Sequence, residues 1–104
     1  MEKLFIITTA EYGKSYMIPQ SVHAAVQFMM EHPLKAKLWH YSNNTVICLK
    51  AENHNDLYEI IVKLIELNID ISVFKEPDKG NKITSISFIG NEKTREITKK
   101  LSLA

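Results

Sequence analysis

Cysteine, glycine and proline are scarce: the 104 residues include one Cys, three Gly and three Pro. A single cysteine excludes an internal disulfide framework. Cys48 sits in the apolar run Thr45–Leu49 and reads as a small buried hydrophobe. So little Gly and Pro, beside 45% hydrophobic and 24% charged residues, excludes a disordered or fibrous chain. No apolar stretch approaches the ~20 residues of a membrane span, and no signal-peptide pattern opens the chain. A cytoplasmic setting with no membrane partner is therefore expected. Neither sign of charge dominates: 13 Lys and Arg stand against 12 Asp and Glu, for a net +1. That balance excludes nucleic-acid binding by bulk charge and leaves room for a local basic patch. The length fits a single domain over residues 1–104.

Periodicity supplies the elements. Lys3–Thr9 reads as a strand covered on both faces. Ala10–Ile18 reads as a polar loop, and Pro19 suits the first turn of a helix over Pro19–Glu31. Ile18, Val22, Ala25, Val26 and Met29 would form its buried face. Pro33 ends that helix, and a short one over Leu34–His40 follows, anchored by Leu38 and Trp39. Thr45–Lys50 is a second strand. Asn53 is an N-cap for a helix whose apolar face is Leu57, Ile60, Ile61, Leu64 and Ile65, and Asn68 is a left-handed C-cap. Ile71–Phe74 and Ile83–Ile89 are strands joined by the charged loop Glu76–Lys82, and Glu92–Leu101 is a last helix capped near Asn91.

The order β-α-β-α-β-β-α sets the topology. Right-handed crossovers with strand order 2-1-4-3 give an α/β fold with three layers, α/β/α. The four-stranded mixed sheet has its fourth strand antiparallel. The loops after strands one and three then emerge at one end, where open α/β sheets bind ligands. That end carries Lys14, Tyr16, Gln20 and His23 from the first loop and helix start. The other loop brings Lys75, Glu76, Asp78, Lys79 and Lys82. Together they supply phosphate-binding cations, an acid or base, and amide donors. Gln20, His23 and Gln27 lie on one polar stripe of the helix. The four histidines are scattered without ligand spacing, so no metal site is expected. Gly13, Gly80 and Gly90 are isolated, so there is no glycine-rich phosphate loop, and no nucleophile-elbow sequence is present.

The helix Gln20-Ser21-Val22-His23-Ala24-Ala25-Val26 resembles the Ala-Gln-x-x-His-Ala-Ala-Val helix of peptidyl-tRNA hydrolases of the second, archaeal and eukaryotic type. Val46–Lys50 resembles that family's Val-Val-Leu-Lys strand, Leu67-Asn68 stands at its Leu-Gly, and Ile89-Gly90 closes the last strand. Ile97–Leu103 resembles its terminal Thr-Gly-x-Leu-x-Leu. The resemblance implies a mixed sheet between helices, a homodimer, and hydrolysis of the ester joining a peptide to the tRNA 3′ ribose without metal or other cofactor. Three places depart from the family pattern. Ser15 and Tyr16 stand at its Gly-Lys, with Gly13-Lys14 two residues earlier. Glu76 stands at its Asp. Gly80 stands at its Thr.

The expected function is hydrolysis of peptidyl-tRNA or N-blocked aminoacyl-tRNA, with the tRNA acceptor end as partner. Glu76 or Asp78 would position or activate water, and Lys14 or Lys79 would stabilise the oxyanion. Gln20 and His23 would orient the acceptor end, while Lys75, Lys79 and Lys82 meet phosphate. The alternatives are a catalytically silent relative that binds RNA or protein through the same end, and a small homodimeric domain with an unrelated ligand.

Overall fold

The computed structural model describes residues 2–104. The chain runs β1 (Lys3–Thr9), α1 (Lys14–Glu31), α2 (Pro33–Ser42), β2 (Val46–Ala51), α3 (His54–Glu66), β3 (Ile71–Glu76), β4 (Lys82–Gly90), α4 (Arg95–Thr98) and β5 (Ser102–Leu103). Single turns of 3-10 helix at Pro77–Lys79 and Glu92–Thr94 precede β4 and α4.

The sheet has five strands in the order β3-β4-β1-β2-β5, which corrects the four-stranded expectation. The four longer strands keep the relative order 2-1-4-3. The added strand is two residues long and pairs antiparallel with the outer edge of β2, Leu49 with Leu103 and Lys50 with Ser102. β1 and β2 are parallel, and β4 is antiparallel to both β1 and β3. Helices cover both faces.

α3 forms as its sequence dictates. Asn53 caps it, its side chain accepting the Asp56 amide at 2.9 Å. Leu57, Ile60, Ile61 and Leu64 turn onto Ile7, Leu49, Ile86 and Phe88 in the main hydrophobic core. Asn68 adopts the left-handed conformation at φ 58°, as its C-cap role requires.

α1 differs from expectation in two ways. It starts at Lys14, so the loop after β1 is only Ala10–Gly13. Gly13 takes φ 91°, where a side chain would be strained, and its carbonyl accepts the Met17 amide. The helix thus begins five residues before Pro19, which lies inside it and forfeits one backbone bond. The second difference is rotational. Met17, Gln20, Ala24 and Phe28 face the sheet, while Ile18, Val22 and Val26 face out and Ala25 and Met29 lie between. The most apolar stripe is not the buried one because the sheet surface beneath α1 is polar. There Thr8 bonds Ser21 at 2.8 Å and Ser85 at 2.7 Å, and Ser87 donates to the Ala24 carbonyl at 2.7 Å. Among the described residues, Leu4, Phe28 and Ala36, with Met29, Trp39 and Ile89 around them, make the apolar cluster on this side.

The last helix is also shorter than its sequence suggests. Asn91 and Thr94 do form a reciprocal capping box, but regular helix stops at Thr98 and the chain leaves for β5. Cys48 is half-buried, and desolvation raises its thiol pKa.

Candidate functional site

The start of α1, the end of β3 and the start of β4 meet at the carboxyl end of β1. Gln20 is buried and bridges two partners. Its amide nitrogen donates to Glu76 Oε2 at 3.1 Å, and its amide oxygen accepts the Thr84 hydroxyl at 2.7 Å. Thr84 reaches Gln20 because β4 carries a bulge. Phe74 pairs with Ser85 and Lys75 with Ile83, so Thr84 has no partner on β3. Strict alternation puts Thr84 on the face of Ile86 and Phe88. The extra residue turns it to the α1 side instead, a use of bulges common beside functional sites.

Glu76 is buried, and burial alone would raise its pKa. The Gln20 amide, the Asp78 backbone amide and the Tyr16 hydroxyl facing it outweigh that effect, so its carboxyl lies below the usual carboxylate range. The Tyr16 hydroxyl is itself buried and stops short of a hydrogen bond of ordinary geometry. Burial, and then the charge of Glu76, raise its pKa.

Lys79 comes back over this cluster. Its Nζ lies 4.5 Å from the centre of the Tyr12 ring and 5.4 Å from that of Tyr16, both within cation–π range. The two rings meet edge to face at 5.4 Å. Tyr12 is held in turn by His54, the buried first residue of α3. The Tyr12 hydroxyl and His54 Nε2 are 2.7 Å apart. His54 Nδ1 lies 3.2 Å from the Ile83 carbonyl, and Glu11 accepts the His54 amide at 3.2 Å. The loop after β1 is thereby tied to α3 and β4, and the ring beneath Lys79 is fixed in place.

The other expected site residues are distributed around this cluster. His23 is exposed and stacks on Phe74 with ring centres 4.4 Å apart and planes within 10°. Asp78 is exposed on the β3–β4 connection, and Lys75 near the end of β3 and Lys82 at the start of β4 are exposed on either side of it. Lys14 goes elsewhere: it lines a cavity of about 370 Å³ with Met17, Ile18, Ser21, Val22 and Cys48, on the β2 side of α1. Gln20 and Glu76 are therefore brought together with Tyr16 and Lys79, and Lys14 is not. Thr84, Tyr12 and His54 were missed. A bulge gives no signal in an alternating strand. His54, directly after an N-cap, was the one detectable hint. Among the described residues no three His, Cys, Asp or Glu side chains gather in a metal-binding group, and no helix is long and apolar enough to cross a membrane.

The family model Peptidyl-tRNA hydrolase PTH2 matches residues 3–104. The chain belongs to this family. No curated protein matches it. Among solved structures, a protein of unknown function from Agrobacterium tumefaciens strain C58 is similar, with a TM-score of 0.70 over 99% of this chain and 97% of that one. At 14% identity, that likeness bears on the fold alone.

Proposed function

We propose that the chain hydrolyses the ester of peptidyl-tRNA or N-blocked aminoacyl-tRNA, and that Lys79 supplies the cation its site requires. The observation that carries this reading is the conjunction of a buried, ionised Glu76 with Lys79, placed over Tyr16 where the family pattern has lysine. A carboxylate of depressed pKa is a weak base, so Glu76 acts by orienting water and balancing the cation. The water oxygen bonds to the ester carbon, the bond from that carbon to the ribose oxygen breaks, and the proton lost by water ends on the ribose oxygen. Lys79 stabilises the carbonyl oxygen as it takes negative charge. Gln20, fixed between Glu76 and Thr84, keeps the carboxylate in place. The His23–Phe74 stack offers a flat surface for the terminal base, and Lys75 and Lys82, flanking Asp78, meet backbone phosphate.

The test is hydrolysis of N-acetyl-aminoacyl-tRNA. Lys79→Ala should lower kcat/KM by about 10²–10³, the usual loss on removing an oxyanion partner. Glu76→Gln should also be slow, and Lys14→Ala should stay near wild type. An unchanged rate in Lys79→Ala removes Lys79 from the mechanism.

One observation favours a second reading, a silent relative that binds RNA. The Tyr16 hydroxyl is buried against Glu76, in the way of an attacking water. A wild-type protein that binds an acceptor-stem RNA, more weakly as salt rises, and hydrolyses nothing would establish this alternative.

A further inference from the structure

The end of the sheet opposite Glu76 carries a second gathering of charge. β1 runs from Lys3 to Thr9, so its two ends lie ~20 Å apart at ~3.3 Å per residue. At the Lys3 end, on the α3 face, a cavity of about 490 Å³ opens between β1, β2 and α4. Its apolar lining is Phe5, Ile47 and Leu49. Leu49 is buried, while Phe5 and Ile47 are only partly buried at the edge of the main core. Gly90 lets the Phe5 ring lie where it does, since a Cβ there would sit 2.4 Å from the ring. Phe5 stacks on Phe88 with ring centres 5.6 Å and planes 15° apart, which holds the ring in one orientation.

Three cations from separate parts of the chain line the same cavity. They are Lys3 of β1, Arg95 at the start of α4 and Lys99 just past its end. One carboxylate, Glu92, stands among them. Among the described residues Lys3 and Arg95 are in no ion pair. Lys99 lies 3.0 Å from Glu96, but both side chains are more than half exposed, and a surface pair of that kind gives up its partner at little cost. Asn91 also lines the cavity. Its side-chain oxygen is spent on the Lys93 amide, which leaves its NH2 group to donate.

These features fix the chemistry of an occupant. The excess of positive charge calls for an anion, and a guanidinium flanked by two ammonium groups suits a phosphate. A fixed aromatic ring beside an isoleucine calls for a flat, largely apolar group. The volume falls within the ~300–1,000 Å³ usual for small-molecule sites. We propose that this cavity binds a nucleoside monophosphate. Arg95, Lys3 and Lys99 hold the phosphate, the base lies on Phe5 and Ile47, and Asn91 donates to the polar edge of the base. The proposal does not depend on the catalytic reading, because the cavity shares no residue with the Gln20–Glu76–Lys79 cluster.

Isothermal titration calorimetry of the full chain with adenosine monophosphate tests it. One molecule should bind per chain, with a Kd on the order of 0.1 mM that weakens as salt rises. Lys3→Gln with Arg95→Gln should weaken binding about tenfold or more, as the loss of charged hydrogen bonds implies. Adenosine, which lacks the phosphate, and ribose 5-phosphate, which lacks the base, should each bind about tenfold or more weakly than the whole nucleotide. Lys79→Ala should bind adenosine monophosphate as the wild type does. The proposal is overturned by a titration without heat at millimolar nucleotide, by an affinity unchanged in the double variant, or by binding lost in Lys79→Ala. Ribose 5-phosphate binding as tightly as the nucleotide also overturns it, since the cavity would then read an anion alone. If circular dichroism shows the double variant unfolded, Arg95→Gln alone, at an exposed and unpaired position, is read in the same way.

Discussion

The two faces of the sheet are built from different chemistry. Under α3, Ile7, Ile86, Phe88 and Leu49 pack against Leu57, Ile60, Ile61 and Leu64 in a dry core. Under α1, hydroxyls do much of the joining. Thr8, Ser21, Ser85 and Ser87 bond to one another or to the helix backbone, and at the strand ends the chain of bonds continues through Thr84, Gln20 and Glu76. A hydroxyl network holds a helix at a defined height and rotation but contributes little net stability per bond. An apolar core contributes more free energy and less directional constraint. Stability is thus concentrated on the α3 face. The α1 face holds polar side chains in register and keeps its apolar residues for the outside.

Substitutions can break this contrast. The largest stability loss should come from the dry face: Leu57→Ala, at a fully buried position, should cost about 2–5 kcal/mol in urea unfolding. Next is Gly90→Ala, where a new Cβ would lie 2.4 Å from the Phe5 ring, itself stacked on Phe88 at 5.6 Å. Overpacking of this kind should cost about 1–3 kcal/mol. On the wet face, Ser87→Ala removes one bond to a carbonyl and should cost about 0.5–1.5 kcal/mol. If Ser87→Ala proved as damaging as Leu57→Ala, the division of labour between the faces would be wrong.

The smallest effect is on the acid side. The folded-state pKa of Glu76 is depressed, so its ionisation stabilises the fold above the ordinary carboxyl range. That contribution fades as pH falls through the unfolded and then the folded pKa. Thermal melts of wild type and Glu76→Gln should therefore converge as pH drops below about 4, with Glu76→Gln showing the shallower acid slope.

The legibility of the sequence follows the same divide. α3 could be read because its apolar face meets an apolar sheet, and the cap at Asn53 and the turn at Asn68 are local backbone chemistry. The meeting of α1 with the end of β3 followed from crossover handedness, and Gln20 and Glu76 are bonded there. The rotation of α1 could not be read, because periodicity finds the apolar stripe and assumes it is buried. Here Gln20 goes in and Val22 stays out. β5 was invisible because two residues borrowing an edge carry no periodic signal. Lys79 was recognised as a cation, but its position depends on Tyr12, and Tyr12 depends on His54, a chain of contacts spread over distant parts of the sequence.

The bulge at Thr84 has a consequence for how such a domain can change over generations. The pairing of Phe5 with Phe88 and of Ile7 with Ile86 lies beyond it, and the turn from Glu76 to Lys82 lies before it. A residue gained or lost in that turn can be absorbed where the ladder is already out of step, without sliding the aromatic pair past its neighbours. The segment that carries Lys79 is therefore free to vary in length while the hydrophobic interior keeps its alignment.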